Sequence, residues 1–324
     1  MIDLDKIKIV SSIKNISNIN DEKFQCIVKE GEIKEQKIKL KTPYLLEIKA
    51  DYQEREVVIE FTGKILKDSY PLLINKETIR QCLTNINQLE ICSLDVEGII
   101  ADGEVVKCDV SQDVELQDCK LFTKQLRANV TNFSKYLVRN IGSNFIIEKN
   151  VATKILKKRL TIYDKCAEMR LATNRDFLAS VEDKEALLDY FAGKVRFELN
   201  LNSKEQIRQS LDISDTSIQS VLDSTSKPIW DFVNKVLDSG GSSTSRSSFS
   251  EFKNKLLLEH CDKDLAKVEA LIREHCSPNT HISQVMKPFR TLLAKMSADT
   301  PNNVKQRLQE LLLEIIIIIG IVSM

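Results

Sequence analysis

The segment KRLTIYDKCAEM at residues 158–169 and the segment KVRFELNL at Lys194–Leu201 decide the fold. Both alternate polar and apolar residues, which is the pattern of a β-strand with one buried face. EVVIEFTG at 56–63 and EVVKCDVS at 104–111 alternate in the same way. Because successive side chains of a strand point to opposite faces, one sheet of these strands would bury an aliphatic face and expose a polar one. The residues predicted on that polar face include Glu60, Lys107, Asp109, Arg159, Thr161, Tyr163, Lys165, Arg196, Glu198 and Asn200.

Outward from these strands, the chain predicts an α+β protein: a curved, mostly antiparallel sheet with flanking helices, followed by a helical C-terminal region. Its 324 residues correspond to about two domains. Further strands are expected at LEICSLDVEG (89–98) and EVVKCDVSQDVEL (104–116), and helices near 75–89, 121–137 and 182–193. The predicted units are a sheet domain at 1–202, a helical hairpin at 203–237, a Gly/Ser linker at 238–250 and a helical module at 251–324.

The hairpin begins with SKEQ at 203–206, a capping-box pattern, and is interrupted near residues 212–214. This is the outline of a DNA-reading helix-turn-helix, although any helical hairpin shares it. The C-terminal helices are a candidate module for partner contact or for self-association into a homodimer. The apolar tail LLLEIIIIIGIVSM at 311–324 is too short for a membrane span and is interrupted by Glu314. It predicts a buried strand, a helix end or an adhesive tail, and no membrane is expected as a partner.

Charge is distributed unevenly along the chain. Lys plus Arg and Asp plus Glu both total 47, and this neutrality argues on average against a polyanionic partner. Residues 119–175, however, contain 13 basic and three acidic residues, a local net charge of +10. Such a segment is suited to phosphate contacts, although basic runs such as KILKKR are also common in solvated loops. The neutral total therefore does not exclude DNA.

Histidine and cysteine usage limits the chemistry. The three histidines, His260, His275 and His281, all lie in the last fifth of the chain, so catalysis in the first 250 residues would proceed without imidazole. The eight cysteines form no CxxC pair and no secretory leader is evident, which predicts reduced thiols in a cytoplasmic protein. The pairs at 260–261 and 275–276 could gather zinc in principle, but they lack metal-ligand spacing.

Four residues on or near the polar strands suggest a reaction: Asp109, Tyr163, Glu168 and Glu198. Carboxylate oxygens are the hard ligands that Mg²⁺ or Mn²⁺ prefers, and such a metal stabilises charge at a phosphodiester. Tyrosine is a weak nucleophile at its ordinary pKa of about 10, so it needs nearby cations or a metal. Lys165 and Arg159 are placed to supply positive charge. A solvated sheet face with an incidental tyrosine is the open alternative.

KRLTIYDKCAEM resembles the (R)L-x-I-Y-x-K-x-x-E signature of rolling-circle replication initiators of the filamentous-phage gene II/X and plasmid Rep-trans type. KVRFELNL resembles the R-x-E-L strand that follows it in that family, and VVKCDVSQDV at 105–114 resembles the R-x-D-hydrophobic-x-x-D strand that precedes it. EFTGKILKDSYPLLIN at 60–75 also resembles the N-terminal half of these initiators. The resemblance covers roughly residues 56–221.

The resemblance implies an enzyme that nicks and rejoins one strand at a replication origin through a tyrosine–5′-phosphate link, with Mg²⁺ or Mn²⁺. It implies Tyr163 as nucleophile, Lys165 as the group that holds the scissile phosphate or lowers the tyrosine pKa, and Asp109, Glu168 and Glu198 as metal ligands. Glu60 is a reserve ligand. Glu168 has an alternative position at the start of a helix. The expected DNA contacts are Lys107, Lys154, Lys157, Lys158, Arg159 and Arg196.

One departure from the family pattern is Lys107, which stands where the family has arginine and keeps the charge without the bidentate fork. Two other functions remain open. The protein could be a DNA-binding initiator or repressor without catalysis, in which the sheet face only holds DNA. It could also be a structural protein whose C-terminal helices and tail drive assembly.

Overall fold

The structure, a computed structural model, describes residues 2–129, 135–150, 157–238, 254, 257–258, 260–262, 264–275 and 281–298. The predicted linker beyond Asp238 and the apolar tail at 311–324 lie outside the described residues. The described part confirms the expected α+β class and the antiparallel sheet.

Ten strands form one sheet in the order β3-β4-β5-β6-β1-β8-β12-β11-β10-β9, and every neighbouring pair is antiparallel. A second, two-stranded sheet pairs β2 with β7. The strands are β1 Leu4–Ser12, β2 Ile16–Ser17, β3 Gln25–Lys29, β4 Glu32–Leu40, β5 Leu46–Asp51, β6 Glu56–Thr62, β7 Ser93–Leu94, β8 Glu104–Glu115, β9 Tyr136–Ile141, β10 Asn144–Lys149, β11 Arg159–Asp164 and β12 Lys194–Leu201.

Helices flank this sheet and continue in the C-terminal part of the chain. They are α1 Ile79–Asn87, α2 Val96–Asp102, α3 Cys119–Asn129, α4 Lys165–Met169, α5 Arg175–Ser180, α6 Lys184–Phe191, α7 Lys204–Leu211, α8 Ile218–Asp223, α9 Pro228–Asp238, α10 Leu265–His275 and α11 Ile282–Ala298. A 3-10 segment at Gly63–Leu72 follows β6. No described helix is both long enough and apolar enough to cross a membrane.

Two sequence predictions are corrected here. The expected strand at 89–98 is only the two-residue β7, because the Asp95 carboxylate accepts a hydrogen bond from the Gly98 N–H and so caps α2. The helix expected at 121–137 is described as Cys119–Asn129 and does not reach 137, since β9 begins at Tyr136 and pairs with β10. Gly193 does end α6 as expected, with a φ of +73°.

The large sheet consists of two halves with the same connectivity. From the centre outward, one half runs β1-β6-β5-β4-β3 and the other runs β8-β12-β11-β10-β9. The first strand of each half therefore pairs with its last strand, and the halves join where β1 pairs with β8. A short helix pair follows the last strand of each half, α1 and α2 after β6, and α7 and α8 after β12.

The sequence carries the same repeat. KETIRQCL at 76–83 and KEQIRQSL at 204–211 are identical at six of eight positions. In the strands that precede them, EVVIEFT and KVRFELN place Glu60 and Glu198 at the same position. Because connectivity and sequence agree, the sheet is an internal duplication. The hairpin at 203–237 is thus the counterpart of α1 and α2, and α2 contacts α8.

The hairpin and the sheet share one hydrophobic core. Ile207, Leu211 and Val221 belong to the same buried cluster as Cys108 and Leu199. Helix α9 also packs on the apolar side, where Ile229 and Val233 meet Phe197 and Val114 around a small cavity. The C-terminal helices α10 and α11 contact each other around a second cluster, formed by Leu258, Cys261, Val268, Ile272, Met286, Phe289 and Leu292.

Three aromatic side chains lie above one end of the polar sheet face. Tyr70, from the 3-10 segment, packs against Phe177 of α5 and Phe191 of α6, each at 5.6 Å between ring centroids. The guanidinium of Arg196 lies 5.5 Å from the Tyr70 and Phe191 rings. This end of the polar face is therefore covered, a feature that strand alternation alone does not predict.

Candidate active site

The polar residues of β8, β12 and β11 lie on one sheet face, as their alternation predicts. Asp109 pairs with Asn200, Glu198 pairs with Thr161, and Arg196 pairs with Tyr163. Directly paired residues of antiparallel strands point to the same side of the sheet. Tyr163 is therefore diagonal to Glu198, and Glu198 is diagonal to Asp109.

Tyr163 and Glu198 are joined by a hydrogen bond. The Tyr163 Oη donates to Glu198 Oε2 at 3.0 Å, and the tyrosine is only 6% exposed. Burial disfavours the phenolate and raises the pKa of Tyr163 well above its ordinary value, and the Glu198 carboxylate raises it further. The neighbours of Tyr163 therefore raise its pKa and do not lower it. A proton acceptor, however, is already in contact with the hydroxyl.

The pKa of Glu198 lies well above that of an ordinary glutamate. Its burial, together with the Asp5 and Asp109 carboxylates, raises its pKa to about 7. The Asn200 amide donates to Glu198 Oε1 at 3.3 Å. Near neutral pH this side chain is therefore able both to accept a proton and to release it.

Asp109 carries an unpartnered buried oxygen. The residue is 8% exposed, and its Oδ1 has no hydrogen-bond partner among the described residues. The Ser111 hydroxyl, two residues along the same face of β8, is likewise buried without a partner there. Burial raises the pKa of Asp109, because the charged form loses hydration. Unpartnered buried polar atoms are rare in folded proteins, and together they mark a place suited to a ligand.

Asp109 and Glu198 fit a magnesium or manganese ion better than Glu168 does. Mg²⁺ usually binds one or two protein carboxylates and keeps several waters, which two carboxylates on adjacent strands can satisfy. Glu168 instead receives hydrogen bonds from Lys165 at 2.7 Å and from the Asn174 amide at 3.0 Å. Among the described residues, no three His, Cys, Asp or Glu groups are placed to hold a metal, whether magnesium here or zinc in the C-terminal part.

Glu60, the reserve ligand, is occupied by ion pairs. It contacts Lys6 and lies 3.2 Å from the ammonium group of Lys8. These charges hold the pKa of Glu60 below its usual value despite burial, which acts to raise it. The first half of the duplicated sheet thus has lysines on β1 where the second half has Asp109 and Ser111 on β8.

Lys165 is not on the strand face, which corrects its expected position. It is the first residue of α4, because the Asp164 carboxylate accepts a hydrogen bond from the Ala167 N–H at 2.8 Å and caps the helix. Lys165 is 1% exposed, and its ammonium group pairs with Glu168 and lies 5.6 Å from the centre of the Tyr163 ring. Glu168 accordingly takes the alternative position, inside the first turn of a helix.

Arg196 is completely buried, and this corrects its expected contact with DNA. Two of its nitrogens donate to Asp113 at 2.7 Å each, and Nη1 donates to Asp5 at 2.6 Å and to the Tyr70 hydroxyl at 2.9 Å. These partners surround the guanidinium, so it holds β12 against β8 and β1 instead of facing solvent. Asp5, Tyr70 and Asp113 were missed, although the spacing of Asp109, Ser111 and Asp113 on β8 already places Asp113 on the polar face.

The remaining basic residues differ in their distance from the site. Arg159 is exposed and its Nε donates to Asn200 Oδ1 at 3.0 Å, and the Asn200 amide in turn donates to Glu198. Lys107 is half-buried on the polar face of β8. Lys157 lies 3.6 Å from Glu148. Lys158 donates to the Ser210 hydroxyl at 2.7 Å and lies over the Phe232 ring. Lys154 lies outside the described residues.

Comparisons with known proteins leave the resemblance as it stands. A scan against models of protein families, a search of curated proteins and a search of solved structures each find no match to this chain. The likeness to rolling-circle initiators therefore remains a prediction from motifs. The case for a function depends on the site itself, where Tyr163, Glu198 and Asp109 lie on one sheet face.

Proposed function

We propose that this protein nicks and rejoins one DNA strand at a replication origin, with Tyr163 as the nucleophile. The observation that supports this most is the hydrogen bond from Tyr163 to Glu198, next to the unpartnered oxygen of Asp109. A nucleophile in contact with a base, and beside carboxylates suited to a divalent cation, is the arrangement that phosphoryl transfer to tyrosine requires. A solvated sheet face would not bury these groups together.

The proposed reaction is a transesterification. The Tyr163 oxygen attacks a backbone phosphorus and passes its proton to Glu198. The bond from phosphorus to the 3′-oxygen breaks, the 3′-oxygen takes a proton from water, and the 5′-phosphate remains on the tyrosine. Rejoining is the same exchange in reverse, with Glu198 returning the proton. No oxidant or external energy source is needed, since one phosphate ester replaces another.

Asp109 and Glu198 would hold Mg²⁺ or Mn²⁺, which supplies positive charge to the phosphate oxygens. Arg159, exposed beside Asn200, would contact a phosphate of the bound strand. Lys165 neutralises Glu168, and Arg196 neutralises Asp5 and Asp113. These ion pairs fix the strands that carry the reacting groups. We assign these two residues to positioning.

The second candidate is a DNA-binding initiator or repressor without cleavage. The burial of Tyr163 and its raised pKa favour this alternative, because an inert tyrosine would look the same. A cytoplasmic location is proposed on the free thiols of the described cysteines, and a homodimer through the C-terminal helices also remains a proposal.

The two candidates are separated by a covalent adduct. Supercoiled origin DNA incubated with the protein and Mn²⁺ should give open circles with protein attached to the 5′ end. Tyr163→Phe should bind the same DNA and form no adduct, whereas Tyr190→Phe, which changes an exposed tyrosine of α6, should react like wild type. If Tyr163→Phe nicks normally, the nucleophile is another residue. Binding without any adduct would establish the second candidate.

A further inference from the structure

A basic cleft lies at the end of β11, on the sheet face opposite Tyr163. It encloses about 480 Å³ between α3, the turn that joins β9 to β10, and the start of α4. Asp164 lines the cleft and directly follows Tyr163 in the strand, so the two side chains point to opposite faces. Its charged lining residues are Lys120, Lys124, Arg127 and Asp164.

Three cations form a row along one side of the cleft. Lys120, Lys124 and Arg127 are spaced by four and three residues, which places them on one face of α3, and all three are exposed. Seven residues of helix extend about 10 Å, which matches about three nucleotides along a duplex strand. The row therefore has the length and charge to follow a short run of backbone phosphates.

The cleft is held open by fixed contacts. Arg127 donates from Nη2 to the Gly142 carbonyl at 2.7 Å, which ties α3 to the β9–β10 turn. Gly142 has a φ of +58°, a conformation that glycine adopts at low cost. The one carboxylate in the lining, Asp164, is already used as the cap of α4. The lysines therefore face the cleft with little competition from negative charge.

Helix α3 belongs only to the half of the sheet that contains Tyr163. It connects β8 to β9, and the equivalent connection from β1 to β3 contains a three-residue 3-10 helix at Ile13–Asn15 and the short β2. Helix α3 is thus an addition to one copy of the duplicated fold, and it carries a row of cations beside the strand of the reacting tyrosine. These two features are expected of an element that holds substrate.

We propose that this cleft binds the phosphodiester backbone of DNA beside the segment that enters the Tyr163 site. Because it lies on the opposite sheet face, it would hold flanking phosphates and not the scissile one. The inference rests on the proposed function for its partner, DNA, but does not require that the DNA be cut.

The test is the salt dependence of DNA binding by the full chain. A fluorescent duplex of 20 base pairs is titrated at several KCl concentrations with wild type, with Lys120→Gln/Lys124→Gln, and with Lys76→Gln/Lys184→Gln. The control lysines also lie on the surface, with side chains about 60% exposed. Loss of two phosphate contacts should reduce the slope of log affinity against log salt by about 1.8, while the control slope should equal that of wild type.

A charge-preserving variant separates charge from packing. Lys120→Arg/Lys124→Arg should keep the wild-type slope. The inference is overturned if the glutamine variant keeps the wild-type slope, or if the slope of the arginine variant falls as much as that of the glutamine variant. Nicking of supercoiled origin DNA in the presence of Mn²⁺ is measured with the same protein preparations. Wild type that binds DNA without nicking, with a reduced slope in the glutamine variant, would reject the proposed function and support the cleft. Nicking by wild type, together with an unchanged slope in the glutamine variant, would support the proposed function and reject the cleft as a DNA-binding site.

Discussion

The Tyr163 hydroxyl donates a hydrogen bond to Glu198 across two neighbouring strands, at 3.0 Å, inside a cluster that also contains the Asp5 and Asp109 carboxylates. Three acids in one buried region repel each other, and this repulsion adds to the effect of burial in keeping a proton on Glu198. Charging the carboxylate that would accept the tyrosine proton therefore costs folding free energy, and this cost can be measured.

Glu198→Gln should change how stability depends on pH. The pKa of Glu198 is raised to about 7 in the folded protein, from about 4.5 unfolded, so the folded state binds the extra proton and stability falls as pH rises between these values. The variant does not lose stability in this way. Its free energy of unfolding, relative to that of wild type, should increase from pH 4.5 to 7 and then stay constant, at about 3 kcal/mol above its value at low pH. Urea unfolding at pH 5 and pH 8 measures the difference.

Glu77→Gln, on an exposed side chain, is the control for loss of one carboxylate. An advantage of Glu198→Gln that is equal at both pH values would contradict the proposed burial of charge.

Strand alternation predicted which residues share the polar face, because the two-residue period fixes the side of every residue once a strand forms. It did not predict how deeply each of these residues is buried. The cover over Arg196 comes from Phe191 and from Tyr70, which is 126 residues away in sequence and packs against Phe177. Nor did it predict Asp5: alternation places Asp5 on the same side as Ile7, but the ladder register shifts between Leu4 and Lys6, and Asp5 reaches Arg196.

Arg196→Met should destabilise the fold strongly. The substitution leaves Asp5 and Asp113 buried without their cation, which typically costs about 3–5 kcal/mol. Thermal unfolding measures the effect, and Arg159→Met, at an exposed arginine of the adjacent strand, should cost less than about 1 kcal/mol. If the two variants unfold alike, Arg196 is not the structural centre of the cluster.

Lys158 should give a pH dependence at the alkaline end. Burial lowers its pKa to about 8, with a further contribution from the Lys235 charge, while the unfolded chain has the ordinary value near 10.5. Between these values the unfolded state binds more protons, so this residue makes stability rise as pH increases from 8 to 10.5. Lys158→Met should remove that rise and be relatively more stable below pH 8. A variant that follows the wild-type curve throughout would show that the ammonium is solvated.

Asp109→Asn should separate binding from reaction. The change keeps the size of the side chain and its position on β8, but it removes the charge that a divalent cation requires. Origin DNA should bind within about twofold of wild type, while adduct formation falls by about 100-fold, because mutating even the outer partners of a metal ligand typically costs about 10–100-fold. Glu60→Gln, at the equivalent face of the other half, should keep full activity because that carboxylate is already paired with Lys6 and Lys8.

Titration with Mn²⁺ adds a second readout: Asp109→Asn should need a higher Mn²⁺ concentration than wild type for half-maximal activity. If Asp109→Asn nicks like wild type at every Mn²⁺ concentration while Glu60→Gln does not, the metal lies on the other half of the sheet.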